Sequence, residues 1–173
     1  RSNNWGESWH IAAGSTGQAG GGRPPGFIHP DVHSVQVHPT TPDQVFAPTG
    51  GGFYYSYDGG TTWEQLHDHY GRAVWVDPDR PAHMILGVAD GAHSNGRIVR
   101  TINGGDTWER EMRGLDGEVW PHDQVERFVQ LDGRLLAVLA SGAIISAALD
   151  DLVWSTVLSG TFAARAVVPV EGE

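Results

Sequence analysis

The box Ser56-Tyr57-Asp58-Gly59-Gly60-Thr61-Thr62-Trp63 constrains this chain most, because it recurs. It satisfies the pattern Ser-x-Asp-x-Gly-x-Thr-Trp, and Thr101-Ile102-Asn103-Gly104-Gly105-Asp106-Thr107-Trp108 is a second copy. Ser2-Asn3-Asn4-Trp5-Gly6-Glu7-Ser8-Trp9 is a looser third. A further tryptophan, Trp154, follows Trp108 by 46 residues, and Trp108 follows Trp63 by 45. A period in the forties marks a repeat architecture with one four-stranded sheet per repeat, stacked because no repeat can bury its faces alone.

The box has its own physical logic. The short acceptors Asp58 and Asn103 can take backbone N–H groups and hold a tight turn, with Ser56 and Thr101 ahead of them and Thr62 and Thr107 behind. Gly60 and Gly105 permit the positive φ that such turns use. Trp63 and Trp108 then open the next strand, where a large aromatic fills the wedge between neighbouring sheets. Both are expected to be largely buried, with Trp154 in the same slot. Ser56, Asp58, Gly60, Thr62, Trp63, Thr101, Asn103, Gly105, Thr107 and Trp108 are therefore read as structural.

On these residues the chain resembles the Asp-box, or BNR, repeat of sialidase-like β-propellers. The stretch His29–Trp63 is most similar to repeats of bacterial exo-α-sialidase-like and glycosyl-hydrolase-like propellers. Those in turn resemble sortilin-type, xyloglucanase-type and photosystem assembly-factor propellers. The resemblance runs from Ser2 to about Val170. It implies an all-β propeller of four-stranded antiparallel blades, with the boxes on the face away from any active centre. Such relatives include enzymes, receptors and assembly factors, so function has to be argued from the site.

Strand signals dominate along the chain. In the blade over residues 31–69, strand A is expected at Val32–Val37, B at Gln44–Thr49, C at Phe53–Tyr57 and D at Thr62–Leu66. The blade over 70–113 repeats this at Ala73–Val76, His83–Val88, Arg97–Thr101 and Trp108–Met112. A degenerate blade over 118–159 uses Val125–Leu131, Arg134–Ala140, Ala143–Ala148 and Val153–Leu158. Residues 1–13 read as the end of one blade, 14–30 as a Gly/Pro-rich loop, and 160–173 as the inner strand of a closing blade, centred on Phe162–Val170. Three whole blades and two partial ones are too few for a ring, since propellers close with about four to eight. A missing propeller half or a second chain is the expected complement.

Composition removes several partner classes. The net charge of −10 argues against nucleic acid and anionic membranes. All 11 basic residues are Arg. With no Cys there is no thiolate nucleophile, disulfide or Cys-based metal site, and nothing selects between a secreted, periplasmic or cytoplasmic location. No run of 18 apolar residues is present, so membrane insertion is not expected. The chain starts at Arg1 with no signal peptide, which is compatible with a removed leader.

In a propeller the D–A and B–C connections share one face. Here the D–A segments carry His29, Asp31 and His33; then His67, Asp68, His69, Tyr70 and Arg72; then Glu118, Trp120, His122 and Asp123. His93 joins them from a B–C loop, whereas His38 and His83 fall elsewhere. Asp31, His33, Arg72, His122 and Asp123 are expected to converge near the axis as a polar cluster in a concave pocket. Three chemistries compete there. Glycoside hydrolysis would pair Asp31 with Asp123, with Arg72 and Trp120 contacting sugar. The resemblance argues against true sialidase activity, because the Arg-Ile-Pro signature is lacking and the nearest string is Arg97-Ile98-Val99. A divalent metal, the one cofactor considered, would use Asp31, His33, His69 and His122. Binding without catalysis, of a glycan or a protein ligand, would use His33, His69, Tyr70, Arg72, Trp120 and His122, with Trp75, Tyr54 and Tyr55 as further contacts. This binding or scaffolding reading is preferred, since no complete catalytic set is recognised.

Overall fold

A computed structural model describes residues 2, 4–11, 26–115, 120–159, 164 and 166–168. Among the described residues every regular element is a strand, and all pairing is antiparallel. β1 (Gln36–Val37), β2 (Val45–Thr49), β3 (Gly52–Ser56) and β4 (Glu64–His67) form one sheet in that order. β5 (Tyr70–Val76), β6 (Met84–Ala89), β7 (Arg97–Thr101) and β8 (Glu109–Arg110) form the second. β9 (Val125–Leu131), β10 (Arg134–Leu139), β11 (Ile144–Ala148) and β12 (Ser155–Leu158) form the third. These are three blades of a partial β-propeller.

Alternation along the strands supplies two apolar faces per blade. Phe46 pairs with Tyr55 and Ala47 with Tyr54. Phe46, Phe53 and Tyr55 turn towards the second blade, where Val74, Val76, Met84, Leu86, Val88 and Val99 meet them. The other face of the second blade, with Ala73, Trp75, Ile85 and Ile98, packs on Val125, Leu135, Ala137, Leu139 and Ile145 of the third. Ile28 covers Ala47 and Tyr54 on the far side of the first blade, packing beside Trp63. The blades therefore share cores rather than owning them.

The three eight-residue turns close by the same hydrogen bonds. Ser56 Oγ donates to Asp58 Oδ1 at 2.8 Å and accepts the Gly60 N–H at 2.8 Å, while Asp58 Oδ1 takes the Thr62 N–H at 2.7 Å. Thr101 Oγ1, Asn103 Oδ1, Gly105 and Thr107 repeat this at 2.8, 3.1 and 3.1 Å. Ser2, Asn4, Gly6 and Ser8 repeat it again at 2.9, 2.8 and 3.0 Å. The central glycines are left-handed, at φ 85° for Gly60 and 101° for Gly105. The third blade turns differently, with Leu152 itself left-handed at φ 52°.

Several expectations need adjusting. Strand A of the first blade, expected at Val32–Val37, contracts to β1 with one isolated bridge between Val32 and Thr49. Its partner strand contains Pro48, which accepts the His33 N–H at 3.0 Å and has no N–H to return. The D strands start later than the boxes suggest, because the Thr62 and Thr107 N–H groups are committed to Asp58 and Asn103. Trp63 and Trp108 are only half-buried, whereas Trp154 is buried. Trp108 reaches back to the preceding blade, donating to Leu66 C=O at 3.1 Å and meeting Phe53 edge-on. Trp154 gains a fuller cover from Met112, Leu115 and Leu152. Trp63 packs against the Ile28, Ala47 and Tyr54 cluster and is bridged to the Gly26–Ile28 segment at Gly26. No strand is assigned to residues 4–11, 164 or 166–168, so the outer fragments expected there do not pair among the described residues. Residues 14–25, most of Phe162–Val170 and Glu118 lie outside the described residues.

Candidate functional site

Hydrogen bonds tie the D–A segments to B–C loops, of the same blade in the first and third blades and, for the segment leading into β9, also of the preceding blade, which builds one polar face. Gly50 N–H donates to Asp31 C=O at 2.8 Å, and Ser141 N–H donates to Asp123 Oδ1 at 3.0 Å. In the second blade the Gly96 N–H reaches Trp120 C=O at 3.0 Å, tying its B–C loop to the segment that leads into β9.

Where the three inner strands begin, their side chains meet. His33 lies against Asp31, with Nε2 to Oδ2 at 3.3 Å, while its Nδ1 is 2.7 Å from Gly71 C=O. The His33 ring packs on Tyr70 at 4.8 Å between centroids. Tyr70 Oη accepts from Arg72 Nε at 2.8 Å, and Arg72 Nη1 donates to Glu126 Oε2 at 2.6 Å. Gln124 Nε2 donates to Glu126 Oε1 at 2.9 Å, and Gln124 Oε1 accepts the His93 N–H at 2.9 Å. One network thus crosses all three blades. His33, Arg72, Glu126 and Arg127 line a cavity of about 170 Å³ there, with Val138 and Leu139 as its apolar floor.

Electrostatics keep this network charged. Burial lowers the Arg72 guanidinium, but the hydrogen bonds to Tyr70 and Glu126 outweigh it and hold the group above its ordinary value. Burial raises Glu126, but Gln124 and Arg72 outweigh it and hold the carboxyl below the usual range. Arg72 and Glu126 remain about a third and a quarter exposed, so the pair faces the cavity while staying fixed.

Of the residues singled out in the sequence, Asp31, His33, Tyr70 and Arg72 come into one connected group. Asp123, His122 and Trp120 form a separate turn of the third blade. Asp123 Oδ1 accepts from the Gln124 and Ser141 N–H groups, which is a turn-holding role. His122 is exposed. Trp120 is buried in the core between the second and third blades, so its ring does not face a ligand. Trp75, Tyr54 and Tyr55 are buried too, and Trp75 Nε1 donates to Gln130 across the blade junction. The set Asp31, His33, His69 and His122 does not gather; His69 instead sits beside His67 and Asp68. His83, off this face as expected, is a buried partner of Asp77, with Nδ1 to Oδ2 at 3.2 Å, and accepts from Arg100 Nε at 3.1 Å.

Glu126 and Gln124 are the residues the sequence reading missed. Their signal was available: a carboxylate at the start of an inner strand, in the blade that follows Arg72. The degenerate register of the third repeat hid that correspondence.

No protein-family model matches the sequence, and no curated protein matches it. Solved structures do resemble it. An ancestral GH74 enzyme superposes with a TM-score of 0.56 at 15% identity, over 71% of this chain and 18% of the enzyme. The GH74 enzyme of Niastella koreensis gives 0.57 at 18% identity, over 73% and 21%. YCF48 from Cyanidioschyzon merolae gives 0.51 at 21% identity, over 79% and 40%. The chain spans about a fifth of the GH74 enzymes and two fifths of YCF48. At these identities the likeness establishes the β-propeller fold.

Proposed function

We propose that this chain is part of an Asp-box propeller that binds rather than cleaves, holding a glycan or an extended protein segment on its D–A face. The observation that supports this reading is the pairing of three carboxylates at that face. Asp31 is paired with His33, Glu126 with Arg72 and Gln124, and Asp123 with two backbone N–H groups. Glycoside hydrolysis uses one carboxyl that stays protonated as an acid and a second across the bond. Glu126 is pushed in the opposite direction, towards permanent ionisation. Arg72 and Tyr70 instead offer fixed donors beside an apolar floor, which suits recognition of carboxylate, hydroxyl or backbone carbonyl groups.

The test is a glycan array and a peptide array probed with the full chain, beside a panel of chromogenic glycosides. We expect array binding that weakens by about tenfold or more in Arg72→Ala, the loss of one charged contact. Turnover of any glycoside, abolished by Asp31→Asn or Asp123→Asn, would replace this reading with hydrolysis by that carboxylate pair.

A further inference from the structure

We propose that His67, Asp68 and His69 form a binding site for one divalent cation of the zinc type, on the connection between β4 and β5. One donor atom from each of the three lies within 4.8 Å of the others. Asp68 Oδ1 is 2.8 Å from His69 Nδ1 and 3.9 Å from His67 Nδ1. A tetrahedral zinc with bonds of 2.0–2.2 Å sets its donors about 3.4 Å apart, between those two values. The remaining adjustment is on the order of 1 Å, and Asp68, fully on the surface, is free to make it.

The backbone presets this geometry. His67 is the last residue of β4, paired with Phe53, and its ring stands edge-on to Trp108 at 5.4 Å. His69 comes two residues later, at the bend immediately before β5. The two rings lie 5.0 Å apart. Packing on Trp108 accounts for His67. It does not account for an exposed carboxylate and a second imidazole held over it.

The donor chemistry is specific about the ion. Two imidazole nitrogens and one carboxylate oxygen suit Zn²⁺ and its neighbours, and poorly suit Ca²⁺ or Mg²⁺. The charged groups nearest the site are Asp68 and Arg97, and Arg97 is itself paired with Asp90 at 2.7 Å. A metal would replace the proton between His69 and Asp68 and the 3.2 Å bond from His69 N–H to His67 Nδ1. Three protein donors leave a coordination position open to water or a ligand group. None of these three residues lines the Arg72–Glu126 cavity, and the proposal does not depend on what that cavity binds.

Titration calorimetry of the full chain with Zn²⁺, and visible absorption with Co²⁺ in its place, tests the site. We expect one equivalent per chain, reversal by EDTA, and affinity that falls with acidification as protons compete for the imidazole nitrogens. Asp68→Asn and His69→Ala, both at positions outside the core, should each weaken binding by about tenfold or more. Circular dichroism of the two variants, matching the parent, would confirm that folding is intact. Absence of saturable binding at neutral pH, or binding unchanged in both variants, would overturn the proposal.

Discussion

The Asp58 carboxylate receives the backbone N–H of Thr62 at 2.7 Å and of Thr61 at 2.9 Å, and the Thr62 hydroxyl at 2.7 Å. Asn103 does the same work in the second blade with an uncharged amide, accepting the Thr107 N–H and donating to its hydroxyl. The difference between the two is a titration. The Thr62 N–H, then the Thr62 hydroxyl, and after them Ser56 and the Thr61 N–H, hold Asp58 down at about 2. Its folded pKa is therefore below the unfolded one. The stabilisation it lends is fully present above about pH 4 and disappears as pH falls towards the folded value. We expect Asp58→Asn to fold like the parent at pH 7 and to lose less melting temperature between pH 4 and 2, by circular dichroism. Asp58→Ala should lose on the order of 1 kcal/mol at pH 7, since it leaves two N–H groups without their acceptor, with a smaller loss near pH 2, and should leave any ligand affinity intact. Affinity loss with normal melting would instead place this turn in a binding site.

At the scale of strands and blades, the junction between β6 and β9 sets how closely two sheets approach. A Cβ added at Gly87 would sit 2.6 Å from Val125 Cβ, nearer than packed carbons come. Gly87→Ala must therefore push the second and third blades apart or twist β6. We expect a loss of about 1–3 kcal/mol, the usual cost of overpacking a core, read as a lower denaturation midpoint with unchanged slope. A neutral result would mean that the blades are not packed as described. The same junction shows what the sequence could and could not disclose. Strands β7 and β9 were legible to the residue, because alternation and glycine-bearing turns are local signals. Trp120 was not. An aromatic beside Pro121 and His122 reads as a surface contact, and only the bridge from Trp120 to Gly96 reveals that it is drawn into the core. The axial network divides in the same way. His33 and Arg72 stood out because the repeats of the first two blades align, whereas Glu126 became visible only when β9 was set beside β5.

The whole molecule is an arc, and its apolar surface is distributed accordingly. Each of the two inner blade junctions is sealed by side chains from both neighbours. Beyond them the burial fails: Trp9 and Ile11 are 74% and 83% exposed, and every residue of β12 is exposed, with Val157 at 62%. The hydrogen-bonded turn at Ser2–Ser8 is formed as in the true blades, so its tryptophans are presented on a hydrogen-bonded support with their rings exposed. Exposed apolar groups on ordered backbone are sites of association, and an open row of strand edges adds to the tendency. The large negative charge opposes it only at low salt, since charges farther apart than about 10 Å are screened at 0.1 M. We therefore expect the isolated chain to associate. Light scattering at micromolar concentration and 0.1–0.2 M salt should give a mass above that of one chain, with binding of a hydrophobic dye. Trp5→Ser combined with Trp9→Ser should reduce both without changing the far-ultraviolet circular dichroism, because neither side chain supports a blade. A monodisperse monomer that binds no dye would show that these surfaces are covered by the chain itself, and would remove the reason to look for a partner that completes the ring.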